Sequence, residues 1–199
     1  MTPFIRNTAG LMLLAPAVAL AHPGHVDAAI DSAFHLGWLH PLTGIDHLAA
    51  MLAVGCWSAL TASSAGARLG RAGWFAGFLL IGALTGWAGL ALPAVEPMIM
   101  VSLLVIGLIL ARADTQNAAL PLGLMAFFAL FHGVAHVAEV PSSMSPVQFT
   151  AGFMTASLLL LGLGAGLGAL LTAHRRWLQP VLGATVAGYG MVLLGLARG

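Results

Sequence analysis

The chain has 199 residues, of which 60% are hydrophobic and only 7% charged, with a mean hydropathy of +0.99 and a formal net charge of +1. Soluble domains carry roughly 25% charged residues, and a body of this size has too little interior to hide so much apolar surface from water, so lipid is the solvent that fits. Nothing in the charge balance points to a nucleic-acid partner, the absence of lysine removes Walker A nucleotide binding and Schiff-base chemistry together, and a lone cysteine, Cys56, cannot build a disulfide or a thiolate cluster.

In chain order, Arg6 precedes an apolar run over 9–20 that ends in Ala19-Leu20-Ala21, a small-x-small cleavage pattern. Residues 1–21 therefore read as a secretory signal peptide. The alternative, an uncleaved first span, is disfavoured by a run of about 12 residues where a bilayer needs ~20, and by Pro16 within it. Cleavage leaves His22 at the new terminus, on the outer side. There the α-amine and the His22 imidazole offer a chelating pair, with His25 the nearest second ligand. Pro23 has no N–H, so its nitrogen cannot join them. A helix over 28–39 would set Asp27, Asp31 and His35 on one face and Ile30, Phe34 and Trp38 on another. That pattern suits an interfacial amphipathic segment that collects metal outside, or simply a solvated polar face.

Six longer apolar stretches follow, near 45–62, 72–92, 93–111, 118–138, 147–173 and 178–197. The expected fold is all-α: a polytopic membrane helical bundle of six transmembrane helices forming one domain over 22–199, with 22–42 as an outer segment. Helices satisfy their own backbone groups in lipid, and the runs lack the alternation of barrel strands. In the third stretch Glu96-Pro97 must sit at the interface. Arg68 and Arg71, then Arg112, then Arg175 and Arg176 fall in alternate loops, while 93–97 and 139–146 contain none. The positive-inside rule puts those arginines in the cytoplasm and the mature N-terminus outside. Glycines at 73, 77, 82 and 86 and at 162, 164, 166 and 168 suggest close helix contacts.

The remaining ionisable residues gather toward the outer half. Pro41 and Gly44 are expected to break the helix around His40, so that this residue lies on a bend and folds back toward Asp46 and His47 in the first turn of the first span. A carboxylate and two imidazoles suit nickel, cobalt or zinc. Thr43 with Asp46 also resembles a capping box, which accounts for the aspartate but not for two histidines. Near the end of the fourth span, His132, His136 and Glu139 share one helix face at offsets of four and three. An i, i+4 histidine pair can grip one ion, and intramembrane ionisable groups are functional by default. Glu139 reads as a ligand or an entrance residue. Met51, four residues past His47, and the deeper Cys56 are possible pathway groups, although both residue types more often simply pack.

The segment His40-Pro41-Leu42-Thr43-Gly44-Ile45-Asp46-His47, continuing to Trp57, resembles the first signature of the HupE/UreJ family, and Phe131-His132-Gly133-Val134-Ala135-His136-Val137-Ala138-Glu139 resembles its second. These are hydrogenase- and urease-associated membrane proteins thought to admit nickel. The resemblance implies that His40, Asp46, His47, His132, His136 and Glu139 are the functional positions. It also implies that Ni²⁺ is a transported ion, with no permanent cofactor, no nucleotide and no enzymatic activity. Three rivals stand beside it: an intramembrane metalloenzyme, a haem protein, and a metal sensor or chaperone. The zincin general base is missing, since Gly133 stands where a glutamate is needed.

Overall fold

The computed structural model describes residues 32–113, 117–138 and 140–197. Among them all regular structure is helical: α1 (Ala33–Thr43), α2 (Ile45–Thr61), α3 (Ala65–Trp87), α4 (Val95–Arg112), α5 (Ala119–Ala138), α6 (Pro146–Leu171) and α7 (Arg175–Leu196), with a 3-10 turn at Thr172–His174 between the last two. The expected signal peptide, and the part of the outer segment up to residue 31, lie outside the described residues.

Three local expectations are corrected. The first concerns α1, which opens at Ser32, whose hydroxyl accepts the His35 N–H at 3.2 Å, and then runs straight through His40 and Pro41. The proline ring crowds the carbonyl four residues back, which belongs to Gly37, and removes one backbone bond. Packing on α6 outweighs that loss. A Cβ on Gly37 would lie 2.1 Å from the Phe149 carbonyl oxygen, and one on Gly152 2.0 Å from that of Phe34. The break falls at Gly44 instead (φ −78°, ψ 109°), where α1 and α2 meet at 75°. Second, Thr43 makes no capping box. Its hydroxyl donates back to the carbonyls of Leu39 (3.1 Å) and His40 (3.2 Å), which closes α1, and α2 starts at Gly44 without a side-chain cap. Third, α3 begins seven residues earlier than the apolar run suggests, because the Ser64 hydroxyl accepts from the Ala67 N–H at 3.1 Å and starts the helix. Arg68 and Arg71 therefore sit on its first two turns, not in a loop.

Glycine contacts fix the directions of the helices. Gly55 meets Leu161 and Ala165, while Gly168 meets Cys56 and Ala59, so α2 and α6 run parallel. Gly82 meets Leu130 and Gly86 meets Val134 and Val137, so α3 and α5 run parallel as well. Gly107 meets Ala187 and Gly190 meets Leu104, so α4 and α7 are antiparallel. The Gln179 side chain donates to the Ala111 carbonyl at 3.1 Å, which joins the end of α4 to the start of α7. Gly190 packs on Leu103 and Leu104 beside Ser102, which meets His132, while Ser157 meets His47 in the same cluster, so residues on the two sides of Thr172–His174 stand at one level and the chain reverses there. Not every glycine in the sequence pattern serves this purpose: Gly73, Gly77, Gly162 and Gly166 have nothing within 4 Å of the missing Cβ.

Four helical segments are long and apolar enough to cross a bilayer: α3, α4, α5 and the continuous helical stretch Pro146–Leu196 that holds the reversal. The bent pair α1 and α2 qualifies together as a fifth. Glu96 and Pro97 stand exposed in the first turn of α4.

A Cβ on Gly133 would lie 2.2 Å from the Leu79 carbonyl oxygen, against backbone that cannot yield. Gly133→Leu should therefore cost at least ~1–3 kcal/mol through overpacking. Gly77→Leu, which meets open space, should leave the melting temperature in detergent within a few degrees of the parent. Equal melting of the two variants would contradict the α3–α5 packing.

Candidate metal site

The Gly44 bend and the parallel packing of α2 on α6 bring His47 to the level of the C-terminal half of α5. His132 and His136 lie one turn apart on that half. All three imidazoles are buried, and each offers one ligand atom, with those atoms within 4.8 Å of one another. A buried polar ring needs partners, and the structure supplies most of them. His136 stands between two other histidines: its Nε2 is 2.8 Å from His47 Nδ1, and its Nδ1 is 2.5 Å from His40 Nε2. The far nitrogen of His47, Nε2, is 3.2 Å from the Ser157 hydroxyl of α6.

His132 is held differently. Its Nε2 is 2.9 Å from Ser102 Oγ on α4, while the Ser102 hydroxyl also lies 2.6 Å from the Ile99 carbonyl. A hydroxyl has one proton. If Ser102 gives it to the carbonyl, which can only accept, then His132 Nε2–H donates to the serine. The lone pair of the neutral ring is then on Nδ1, and that atom is buried without a hydrogen-bond partner. A histidine anchored by one nitrogen, with the other free, is the usual state of a metal-ligating imidazole. Two nitrogens on one ion at about 2 Å each are at most about 4 Å apart, so the widest pair here needs to close by on the order of 1 Å.

Aromatic rings wall the cluster. Phe153 lies 5.2 Å from His47 and 5.3 Å from His136 between ring centroids, and Phe149 lies 6.2 Å from His40. Both phenylalanines are buried. They keep water from the imidazoles and leave the nitrogens to one another, to serine hydroxyls, or to an ion.

Of the residues singled out in the sequence, His40, His47, His132 and His136 come together. Asp46 is half-buried beside them in the first turn of α2, but its carboxylate folds back toward the Gly44 bend, 3.0 Å from where a Cβ on that glycine would stand. Its charge still acts on His40 and His132, although it is not among the three residues whose ligand atoms lie within 4.8 Å of one another. His35 is exposed on α1. Met51 is buried one turn beyond His47. Cys56, nine residues on, lies about half a turn round the helix from His47, and its backbone carbonyl packs against Gly168 of α6. Glu139, His22, His25, Asp27 and Asp31 lie outside the described residues. Sequence reasoning missed Ser102 and Ser157. Each is a polar group in a run of apolar neighbours, which was the available signal.

The profile of the HupE / UreJ protein family matches residues 10–193. The chain belongs to the HupE/UreJ family. Protein HupE of Rhizobium leguminosarum bv. viciae is 36% identical over 194 residues, covering 93% of this chain and 92% of that relative. No solved structure matches. Both HupE/UreJ motif segments lie within the matched region, and the four clustered histidines are drawn from them. With its long apolar helices, this HupE/UreJ chain is a membrane protein.

Ser102→Ala should leave both His132 nitrogens buried without partners, at a cost of about 1–3 kcal/mol. The metal-free protein should melt correspondingly lower, whereas His35→Ala, at an exposed site, should melt with the parent. An unchanged melting temperature for Ser102→Ala would contradict this hydrogen-bond assignment.

Proposed function

We propose that this protein admits divalent nickel, and cobalt as a close second, across the bacterial inner membrane to supply nickel enzymes such as hydrogenase or urease. The observation that carries the reading is the set of buried imidazoles on α2 and α5, with His132 Nδ1 unpartnered. Imidazole nitrogen suits nickel, cobalt and zinc, and a bare divalent ion in hydrocarbon is prohibitive, so ligands must lead it in. The kinship with Protein HupE supports the same direction.

In this reading the chain crosses six times after signal-peptide removal, with α6 and α7 as separate spans and the mature N-terminus outside. His22, His25, Asp27, Asp31 and His35 collect the ion. Asp46 and Glu139 receive it at the mouth. His40, His47, His132 and His136 replace part of its water, and Met51 lies next on the way in. The site must exchange fast, so an incomplete and adjustable ligand set is an advantage over a closed cage. No nucleotide is required. An inside-negative potential of ~100 mV gives about 4.6 kcal/mol for a double charge, which corresponds to a gradient on the order of 10³-fold.

The test is ⁶³Ni²⁺ uptake into proteoliposomes with an imposed inside-negative potential. His47→Ala and His136→Ala should each lower uptake at a low nickel concentration by at least ~10-fold, the range expected when a ligand is lost or misoriented. The intact protein should lose uptake to competing Co²⁺ before Mg²⁺. Equal uptake by parent and both variants would refute the site, and no uptake by the parent would refute the transport reading.

A further inference from the structure

The histidine cluster lies toward one end of the bundle, and the face of α2 that carries it continues to the other. Positions four, seven, eleven and fourteen residues after His47 share its side of a helix. They are Met51, Val54, Ser58 and Thr61, all buried. From His47 to Thr61 is about 21 Å along the axis, most of the thickness of a hydrocarbon core. At the far end a cation closes the row. Arg71, on the second turn of α3, donates to the Thr61 hydroxyl, and its guanidinium lies over the Trp57 ring with Cζ 5.1 Å from the centroid. The Thr61 hydroxyl in turn donates to the Trp57 carbonyl at 2.7 Å, so arginine, threonine and tryptophan form one knot. Arg68, three residues earlier, adds a second positive charge at the same end, with its Nε buried.

We propose that Arg71 is the inner closure of the pathway and that it opens by leaving Thr61 and Trp57. This inference rests on the transport reading above. A fixed guanidinium at the end of a cation route repels any cation that arrives without the means to displace it. It also plugs the row sterically, because the planar group fills the space over the indole. With the outer end of the row held by imidazoles and the inner end by a cation, the structure is closed toward the cytoplasm. The interactions that hold Arg71 are a single hydroxyl and a ring face, with no carboxylate partner among the described residues that contact it. Such a contact is weak enough to be broken in each transport cycle.

The test reads accessibility, independently of transport. Ser58 lies on the row one turn above Thr61, so Ser58→Cys in a Cys56→Ala background places one thiol there. Its reaction with a membrane-impermeant, positively charged methanethiosulfonate is followed in inverted vesicles and in right-side-out vesicles. With Arg71 present, labelling from the cytoplasmic face should be slow. Arg71→Ala should speed it at least ~10-fold from that face alone. Thr61→Val, which removes the acceptor but keeps the shape, should move it the same way, and Arg71→Lys should move it less, since charge and bulk remain. Unchanged labelling in Arg71→Ala would overturn the proposal. So would an equal rise from both faces, which reports general loosening. The outcome is separable from the function itself: if the parent carries no nickel but Arg71→Ala still opens the inner face selectively, the closure stands and the transported ion has been misidentified.

Discussion

Histidine imidazoles without water are the constraint on which the rest depends. A polar ring moved out of water costs several kcal/mol unless each nitrogen that needs a partner finds one. In an apolar bundle those partners must come from the protein or from a bound ion. Here they come from four helices and the short helix that precedes them. His40 on α1 and His47 on α2 both meet His136 on α5, Ser157 on α6 meets His47, and Ser102 on α4 meets His132. Each contact ties a different pair of elements together. One nitrogen, His132 Nδ1, remains without a partner. A site that satisfies all its groups but one is poised to take a ligand at that one.

Close helix approach makes the convergence possible. Gly37 and Gly152 let α1 lie against α6, Gly55 and Gly164 do the same for α2 and α6, and Gly82 and Gly133 for α3 and α5. At each of these positions a Cβ would fall within about 2.3 Å of a backbone carbonyl oxygen on the neighbour. In lipid there is no hydrophobic drive to pull helices together, so packing of this kind carries the association. The 75° turn at Gly44 then does a separate job. It lets α1 pack against the first turns of α6, so that His40 reaches Nδ1 of His136 while His47 reaches its Nε2.

Much of this was legible in the residues. The six apolar runs become helices with ends within three positions of those expected, except for α3, which Ser64 starts seven residues early and which ends at Trp87, five residues short of 92. The spacing of His132 and His136 placed them on one helix face, and alternating arginines placed that end beside His47. The bend near His40 was also legible, but its position was not. Proline and glycine both disfavour helix at 41 and 44, and only the contact of α1 with α6 decides that the helix survives the proline and stops at the glycine. Asp46 lies close enough for its charge to act on His40 and His132 while its carboxylate also faces the Gly44 bend at the start of its own helix, a placement that spacing alone could not give. The serines that anchor His47 and His132 come from other spans, and a linear pattern gives no pairing across so many residues.

The central claim is that histidines from α2 and α5 bind one ion together. Nickel K-edge X-ray absorption on the purified, nickel-loaded protein tests it most directly, because imidazole rings give multiple-scattering features that carboxylates and water do not. The account predicts a nitrogen and oxygen shell with three or more imidazoles, reduced by one ring in His132→Ala. A spectrum without imidazole scattering, or one that His47→Ala, His132→Ala and His136→Ala all leave unchanged, would contradict it.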